Sequence, residues 1–413
     1  MATKKEECLF CGSSLEVTFS NLGTSPLCEE FVKPERLNSS QLIYPLHAYV
    51  CHNCYLVQVH EYVTPEEIYS DYYYFSSYSD SWLEHAKNYV DTVTDRFGLH
   101  KESFVVEIAS NDGYLLQYFI EKDIPVLGVE PSVNVARESI AKGIPTEQLF
   151  FGEKTAHQLS TAHRKADLIL GNNVLAHVPD INDFVKGLKH LLSDKGVMTF
   201  EFPHLMQLIE NNQFDTIYHE HFFYYSLFVV KRIFETQGLK LFDVEELSTH
   251  GGSLRIYATH IENGDQKEGE RLDALLTIER NKGYTELELY REFDNRVKKT
   301  KRDLLKLLIK LAEDGKKVAG YGAPGKGNTL LNYCGIYTDL IEYTVDRNPK
   351  KQGMYLPGSL IPIFHPDKIR ETKPDFVFIL PWNFKDEIMS QMKDIAEWGG
   401  KFIIPIPAPI IVG

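Results

Sequence analysis

Ser103-Phe-Val-Val-Glu107-Ile-Ala-Ser110-Asn-Asp-Gly113-Tyr-Leu-Leu-Gln-Tyr-Phe-Ile120 reads as an apolar strand, a short polar turn and the apolar start of a helix. Working outward, short apolar runs recur at Val126–Glu130, Asp167–Gly171 and Val197–Phe202, with helical patterns between them. Strands alternating with helices predict a parallel, doubly wound α/β sheet, in which ligands bind beyond the carboxyl ends of the strands. The turn has one glycine, Gly113, so it is not the G-x-G-x-x-G turn of dinucleotide folds. A turn opened by an acidic residue, Glu107, and lacking a pyrophosphate cradle suits a cofactor without phosphates, such as S-adenosylmethionine. Glu107 would then face the cationic methionine end, and Glu130, at the end of the next strand, the ribose hydroxyls.

Two further segments fall on the same predicted edge. Asn172-Asn173-Val-Leu-Ala-His177-Val-Pro-Asp180 follows the third strand, and Phe202-Pro-His204 follows the fourth and leads to Tyr218-His219-Glu220-His221. That tetrad places two imidazoles, a phenol and a carboxylate within four residues, which points to proton transfer.

The chain has 413 residues, enough for two or three domains. Apolar content of 43% and charged content of 25% are those of a globular protein. No apolar run is long enough to span a bilayer and the N-terminus has no signal-type stretch, so a cytoplasmic location and no membrane partner are expected. A formal net charge of −14 disfavours nucleic acid as a partner.

Cys8-Leu-Phe-Cys11 and Cys51-His-Asn-Cys54 are two C-x-x-C pairs, each setting two thiolates on one turn. Together they predict a closed, structural Zn²⁺ site. Ile43–Val50 is strand-like and leads into the second pair. His52 is expected to be a bystander, and Cys28 and Cys334 packing residues.

Residues 265–314 are charged and helical in pattern, and a second α/β unit follows. It opens with Lys317-Val-Ala-Gly320-Tyr321-Gly322-Ala323-Pro-Gly325-Lys326-Gly327, where Gly320, Gly322 and Gly325 form a G-x-G-x-x-G match. Such a turn opening a helix offers N–H groups to phosphate, with Lys326 adding charge. Since the first site is assigned to S-adenosylmethionine, this one suits a nucleotide-linked substrate. The pyrophosphate is expected at Ala323–Gly327 and the nucleoside near Asp346 and Trp382-Asn383. Expected boundaries are 1–68 for the zinc module, 69–264 for the cofactor domain, and 265–413 for linker helices and a second Rossmann-like domain.

With these residues in order, the chain resembles the sugar C-methyltransferases of the tetronitrose C-3 methyltransferase type. The resemblance is carried by both C-x-x-C pairs, Tyr78-Ser-Asp-Ser-Trp82, Glu107–Gly113, Asn172–His177, Tyr218–His221, Gly251-Gly-Ser-Leu-Arg255 and Gly320–Gly327. Pro26-Leu-Cys28-Glu-Glu30 departs from it, standing where small and amide residues are expected.

The resemblance implies methyl transfer from S-adenosylmethionine to a carbon beside the ketone of a nucleoside-diphosphate-linked 4-keto-6-deoxy sugar. C-3 is the expected position, with C-5 open. It implies His221 as base with Glu220 as its partner or a substrate ligand, and His177 and Tyr218 on the ketone oxygen or a neighbouring hydroxyl. Tyr72 would reach in from the aromatic run. Ser110, Asn111, Asp112, Gly113, Pro131, Asn172 and Asn173 would join Glu107 and Glu130 around the cofactor. Tyr78, Arg255 and Tyr321 would join the C-terminal turn around the substrate. An NAD-dependent sugar dehydrogenase, and an RNA methyltransferase with a zinc ribbon, are the weaker alternatives. The sequence fixes no oligomeric state, and a monomer is compatible with all of it.

Overall fold

The computed structural model describes residues 6–68 and 75–413. The expected site residue Tyr72 lies outside the described residues.

Among the described residues, three sheets organise the chain. The N-terminal part contributes β1 (Val17–Ser25), β2 (Tyr44–Val50) and β3 (Val57–Val59). The middle part holds β4 (Val105–Ile108), β5 (Val126–Val129), β6 (Thr146–Glu147), β7 (Ala166–Asn172) and β8 (Leu192–Pro203). It continues with β9 (Phe223–Tyr224), β10 (Leu239–Leu247) and β11 (Ser253–His260). The seven-stranded central sheet runs β10-β11-β8-β7-β4-β5-β6, parallel from β8 to β6, with β10 and β11 antiparallel. Strand order reverses between β4 and β7, so the crevice for a ligand opens at their carboxyl ends.

The third sheet contains β12 (Val318–Tyr321), β13 (Thr344–Val345), β14 (Ile363–Phe364), β15 (Phe376–Ile379), β16 (Lys401–Ile404) and β17 (Ile410–Val412). Its order is β14-β13-β12-β15-β16-β17, parallel except for the β17 edge, and its reversal lies between β12 and β15. The doubly wound fold expected from the sequence is therefore present twice.

Helix Asp80–Phe97 begins at Ser79, whose hydroxyl accepts from Trp82 N–H, and ends at Gly98 in the left-handed conformation. Its buried face, Trp82, Ala86, Tyr89, Val90 and Val93, covers one side of the central sheet. The 27-residue helix Leu287–Glu313 lays its buried face on the zinc module of the same chain, with Phe293 stacked on Phe19 at 4.5 Å.

The zinc-module sheet is not local in sequence. Its order is β1-β2-β3-β9, so its fourth strand comes from Phe223–Tyr224, two residues beyond His221. Val57 pairs with Tyr224 and Gln58 with Phe223. The predicted catalytic tetrad thus hangs from an edge strand of the zinc module.

Candidate active site and zinc centre

The two C-x-x-C turns repeat one geometry. Gly12 N–H donates to Cys8 C=O at 2.8 Å, and Tyr55 N–H to Cys51 C=O at 2.9 Å. The four Sγ atoms lie within 4.8 Å of one another, with Cys8–Cys54 at 3.6 Å and Cys11–Cys51 at 3.5 Å. Tetrahedral Zn²⁺ with Zn–S near 2.3 Å requires about 3.8 Å between sulfurs, so the set fits the metal closely. Gln58 Nε2 donates to Cys8 Sγ at 3.1 Å and Asn53 Nδ2 to Cys11 Sγ at 3.6 Å, which favours thiolate. Four thiolates close the coordination, and His52 is exposed outside it. The metal's work here is structural.

At the β4–β7 crevice the turn after β4 is held by unusual backbone. Ala109, Asn111 and Gly113 all have positive φ, at 57°, 50° and 76°. A Cβ on Gly113 would lie 2.2 Å from Ile144 Cδ1, so only glycine fits. Glu107 is fully buried, and neither of its oxygens is in a hydrogen bond of normal geometry among the described residues. Burial, then the charges of Glu130 and Asp112, pushes its pKa well above the carboxylate range.

Ser110 Oγ, Asp112 Oδ1 and Asn173 Oδ1 are likewise buried without partners among the described residues. Orphaned acceptors gathered at one sheet edge fit a bound polar cation, and the methionine end of S-adenosylmethionine is one. Glu130 accepts Asn111 N–H and Ser132 N–H, each at 2.9 Å, while Pro131 starts the turn after it. Asn172 Nδ2 donates to the Tyr114 hydroxyl at 3.1 Å, and Trp82 stacks on that ring at 6.0 Å.

Across the crevice, Phe222 N–H donates to Ala176 C=O at 2.7 Å and binds the tetrad segment to the turn that carries His177. His177 and His221 meet edge to face at 4.7 Å. His221 Nδ1 faces Thr216 C=O at 3.1 Å. A carbonyl only accepts, so Nδ1 carries the proton and Nε2 the lone pair. That lone pair accepts from the Tyr218 hydroxyl at 2.9 Å. Burial lowers the His177 pKa to about 4. Burial, reinforced by His177, holds His221 well below the usual imidazole range. Both are neutral bases at pH 7. His219 faces the other way, with Nε2 on Pro45 C=O at 3.1 Å. Glu220 is buried, and burial raises its pKa to about 7.

The C-terminal domain closes the other wall. Thr329 Oγ1 donates to Ile217 C=O at 3.2 Å. Trp382 Nε1 donates to Asp215 Oδ2 at 2.6 Å, one residue before the carbonyl that orients His221. Lys326 Nζ donates to Asn383 Oδ1 at 2.9 Å and sits over the Trp382 ring at 4.7 Å. Ala323 N–H donates to Asp346 Oδ2 at 2.7 Å, and Gly325 N–H meets the Glu29 carboxylate. Gly327 is buried against Leu380, and the Tyr321 hydroxyl donates to Gln391 Oε1 at 3.2 Å.

Two expected substrate residues have contacts of their own in the resting site. Tyr78 is 58% exposed, and its ring stacks on Phe75. Arg255 is buried in an ion pair with Glu201 at 2.6 Å and in a cation–π contact with Tyr89.

Several residues were not assigned to the site from the sequence. Cys28, read as a packing residue, donates from Sγ to Glu220 Oε2 at 3.2 Å, and its carbonyl accepts from Asn328 Nδ2 at 2.6 Å. His250 has φ 54° and accepts at Nε2 from Asn173 Nδ2 at 3.1 Å, and its ring meets Trp82 at 5.2 Å. Gly251, at φ 92°, follows it, and a Cβ there would lie 2.8 Å from Trp382 Cη2. Asp215 is fully buried, and burial raises its pKa to about 6 against the pull of Lys326.

Residues 8–69 match a family described as a zinc binding domain, residues 82–244 a methyltransferase domain, and residues 248–407 the C-methyltransferase C-terminal domain. The chain is 35% identical over 407 residues to C-methyltransferase NovU of Streptomyces niveus, an alignment covering 98% of this chain and 97% of that protein. Among solved structures, an S-adenosylmethionine-dependent methyltransferase from Clostridium acetobutylicum ATCC 824 is 13% identical with a TM-score of 0.35, covering 43% of this chain and 92% of that one. Magnesium protoporphyrin IX methyltransferase (ChlM) from Synechocystis PCC 6803 is 15% identical with a TM-score of 0.34, covering 47% and 91%. With that identity along nearly its whole length, and the three family domains in this order, the chain belongs to the S-adenosylmethionine-dependent C-methyltransferases that carry an N-terminal zinc-binding domain.

Proposed function

We propose that the acceptor is a nucleoside-diphosphate-linked 4-keto-6-deoxy sugar, methylated at the carbon beside its ketone, with C-3 the preferred position. One observation carries the reading. A neutral imidazole with an oriented lone pair, His221 Nε2, stands between a methyl-donor crevice and a second Rossmann-like domain.

A sugar C–H gives up its proton only when a neighbouring ketone can take the electron pair as an enolate. His221 Nε2 takes that proton, and Thr216 C=O steadies the imidazolium through Nδ1–H. The Tyr218 hydroxyl, bonded to the same lone pair in the resting site, turns to the sugar when substrate arrives. His177, beside His221, has its N–H turned to the Glu220 carbonyl, so its other ring nitrogen accepts from the hydroxyl next to the ketone. S-adenosylmethionine supplies, when bound, a methyl group on a sulfonium that a carbanion can take. Glu107, Ser110, Asp112 and Asn173 hold its charged end through their unpaired acceptors, with Asn111, Gly113 and Asn172 shaping the crevice. The two oxygens of Glu130 keep lone pairs for ribose hydroxyls beyond the two N–H groups they accept.

The nucleotide handle lies along the carboxyl edge of β12 and β15, near Asp346, with the sugar passing Trp382 and Asn383 to point at His221. Transfer of isotopically labelled methyl to thymidine- and guanosine-diphosphate 4-keto-6-deoxy sugars tests the reading. Label on a carbon beside the ketone supports it, and the position distinguishes C-3 from C-5.

A further inference from the structure

Lys326 is the cation of the glycine turn, and its side chain leaves that turn. Its ammonium is held by Asn383 Oδ1 at 2.9 Å and by the face of Trp382 at 4.7 Å. The same indole is tied to Asp215, next to the carbonyl that orients His221, and packs under the turn carrying His250. Among the described residues no carboxylate lies within ion-pair distance of this ammonium.

The turn itself faces negative charge. Asp346 takes Ala323 N–H and the Glu29 carboxylate lies beside Gly325, two carboxylates against the ammonium of Lys351 at 3.4 Å from Glu29, a poor setting for the first contact of a diphosphate. The tetrad side has the opposite need. His177, His221 and His250 are all held neutral by burial, and the field of Lys326 is felt at both His221 and His250. An enolate formed there places a full negative charge among neutral imidazoles whose N–H groups at His177 and His221 are already given to backbone carbonyls.

Resting on the functional reading above, we propose that Lys326 is a catalytic residue whose ammonium donates to the ketone oxygen as it becomes the enolate oxyanion. The C–H bond breaks, the proton passes to His221 Nε2, and the electron pair moves onto the oxygen facing Lys326. The pair returns to form the new carbon–carbon bond when carbon takes the methyl group and the sulfonium carbon–sulfur bond breaks. Lys326 keeps its proton throughout. Asp215, Trp382 and Asn383 are positioning residues that hold it. A fixed ammonium in a water-poor site stabilises such a charge far more than one in bulk water.

The experiment isolates enolisation from methyl transfer. Full-length zinc-loaded enzyme is mixed in D₂O with S-adenosylhomocysteine and the thymidine-diphosphate 4-keto-6-deoxy sugar, and deuterium wash-in beside the ketone is followed by NMR. Lys326→Met is expected to slow wash-in by about 10²–10³-fold, while thymidine diphosphate and S-adenosylhomocysteine bind as in the unaltered enzyme. Lys326→Arg, which keeps a charge, is expected to recover part of the rate. Lys326→Gln serves in the same comparison if the methionine variant does not fold.

Wash-in by Lys326→Met at the unaltered rate overturns the proposal. So does a loss of thymidine diphosphate affinity with wash-in unchanged at saturating sugar, which assigns Lys326 to the phosphates. Failure of the unaltered enzyme to exchange or methylate any sugar of the class is a separate result, and it removes the functional reading along with the proposal.

Discussion

His221 owes its basicity to a carbonyl. Because Thr216 C=O fixes the proton on Nδ1, the lone pair is aimed rather than free to exchange places. His221→Ala should therefore lower methyl transfer by roughly 10²–10⁴-fold with S-adenosylmethionine binding unchanged by calorimetry. Near-normal turnover would remove His221 from the base role. The rival is Glu220, whose pKa is raised to about 7 by burial. A base must be unprotonated to act. If Glu220 were the base, kcat/KM would fall as pH drops through 7, and Glu220→Gln would abolish activity. With His221 as base the rate persists below pH 6.5, and Glu220→Gln leaves that acid limb in place. Stability carries the matching sign. A carboxyl whose pKa is raised on folding stabilises the protein fully below its unfolded pKa and loses that contribution as pH climbs through 7. Glu220→Gln should thus raise Tm at pH 8 and change it little at pH 4. The tetrad stands out in the sequence as four titratable side chains in a row, and His177 as part of the turn after a predicted strand. His250 does not, since its place depends on a left-handed turn after β10 and on Asn173, 77 residues earlier. Cys28 reads as a packing thiol until the fold brings Glu220 to it across 192 residues.

At the scale of elements, β9 joins the metal centre to the chemistry. The two-residue strand after the tetrad pairs with β3, and β3 follows Cys51-His-Asn-Cys54 directly. Stripping zinc with a strong chelator, or replacing Cys51 with Ser, should lower Tm and methyl transfer together. Restoring zinc to the stripped protein should return both. Activity untouched by complete zinc loss would show that β9 holds its place without the metal. The turn after β4 makes a second claim. Gly113→Ala adds a Cβ that strikes Ile144 in a backbone conformation alanine avoids. About tenfold weaker S-adenosylhomocysteine binding is expected, equivalent to about 1.4 kcal/mol of strain, read by calorimetry. Strands β4, β5, β7 and β8 of the central sheet were legible from their apolar runs, whereas β6, β10, β11 and the outer strands of the third sheet were not. β9 was not, because two residues carry no periodicity, and its pairing with the zinc module is a tertiary fact.

Across the whole molecule, three parts meet at one point. Cys28 and Glu29 of the zinc module, Glu220 of the central domain, and Gly325 and Asn328 of the C-terminal domain are in contact there. The Pro26–Glu30 segment, where the sequence departs from the family it resembles, is the zinc module's share of that junction. Glu29 brings negative charge to the turn expected to receive the substrate's diphosphate, with Lys351 at 3.4 Å as partial compensation. Glu29→Gln should tighten thymidine diphosphate binding several-fold at pH 8, and weaker binding would show that the carboxylate organises the turn instead. The long helix Leu287–Glu313 fastens the linker to the zinc module of the same chain. The central claim concerns the acceptor, and label transfer tests it most directly. Zinc-loaded enzyme, methyl-labelled S-adenosylmethionine and a panel of nucleoside-diphosphate 4-keto-6-deoxy sugars should yield a product labelled on a sugar carbon next to the ketone. Folded enzyme that binds the donor and leaves every sugar of that class unlabelled would contradict the account.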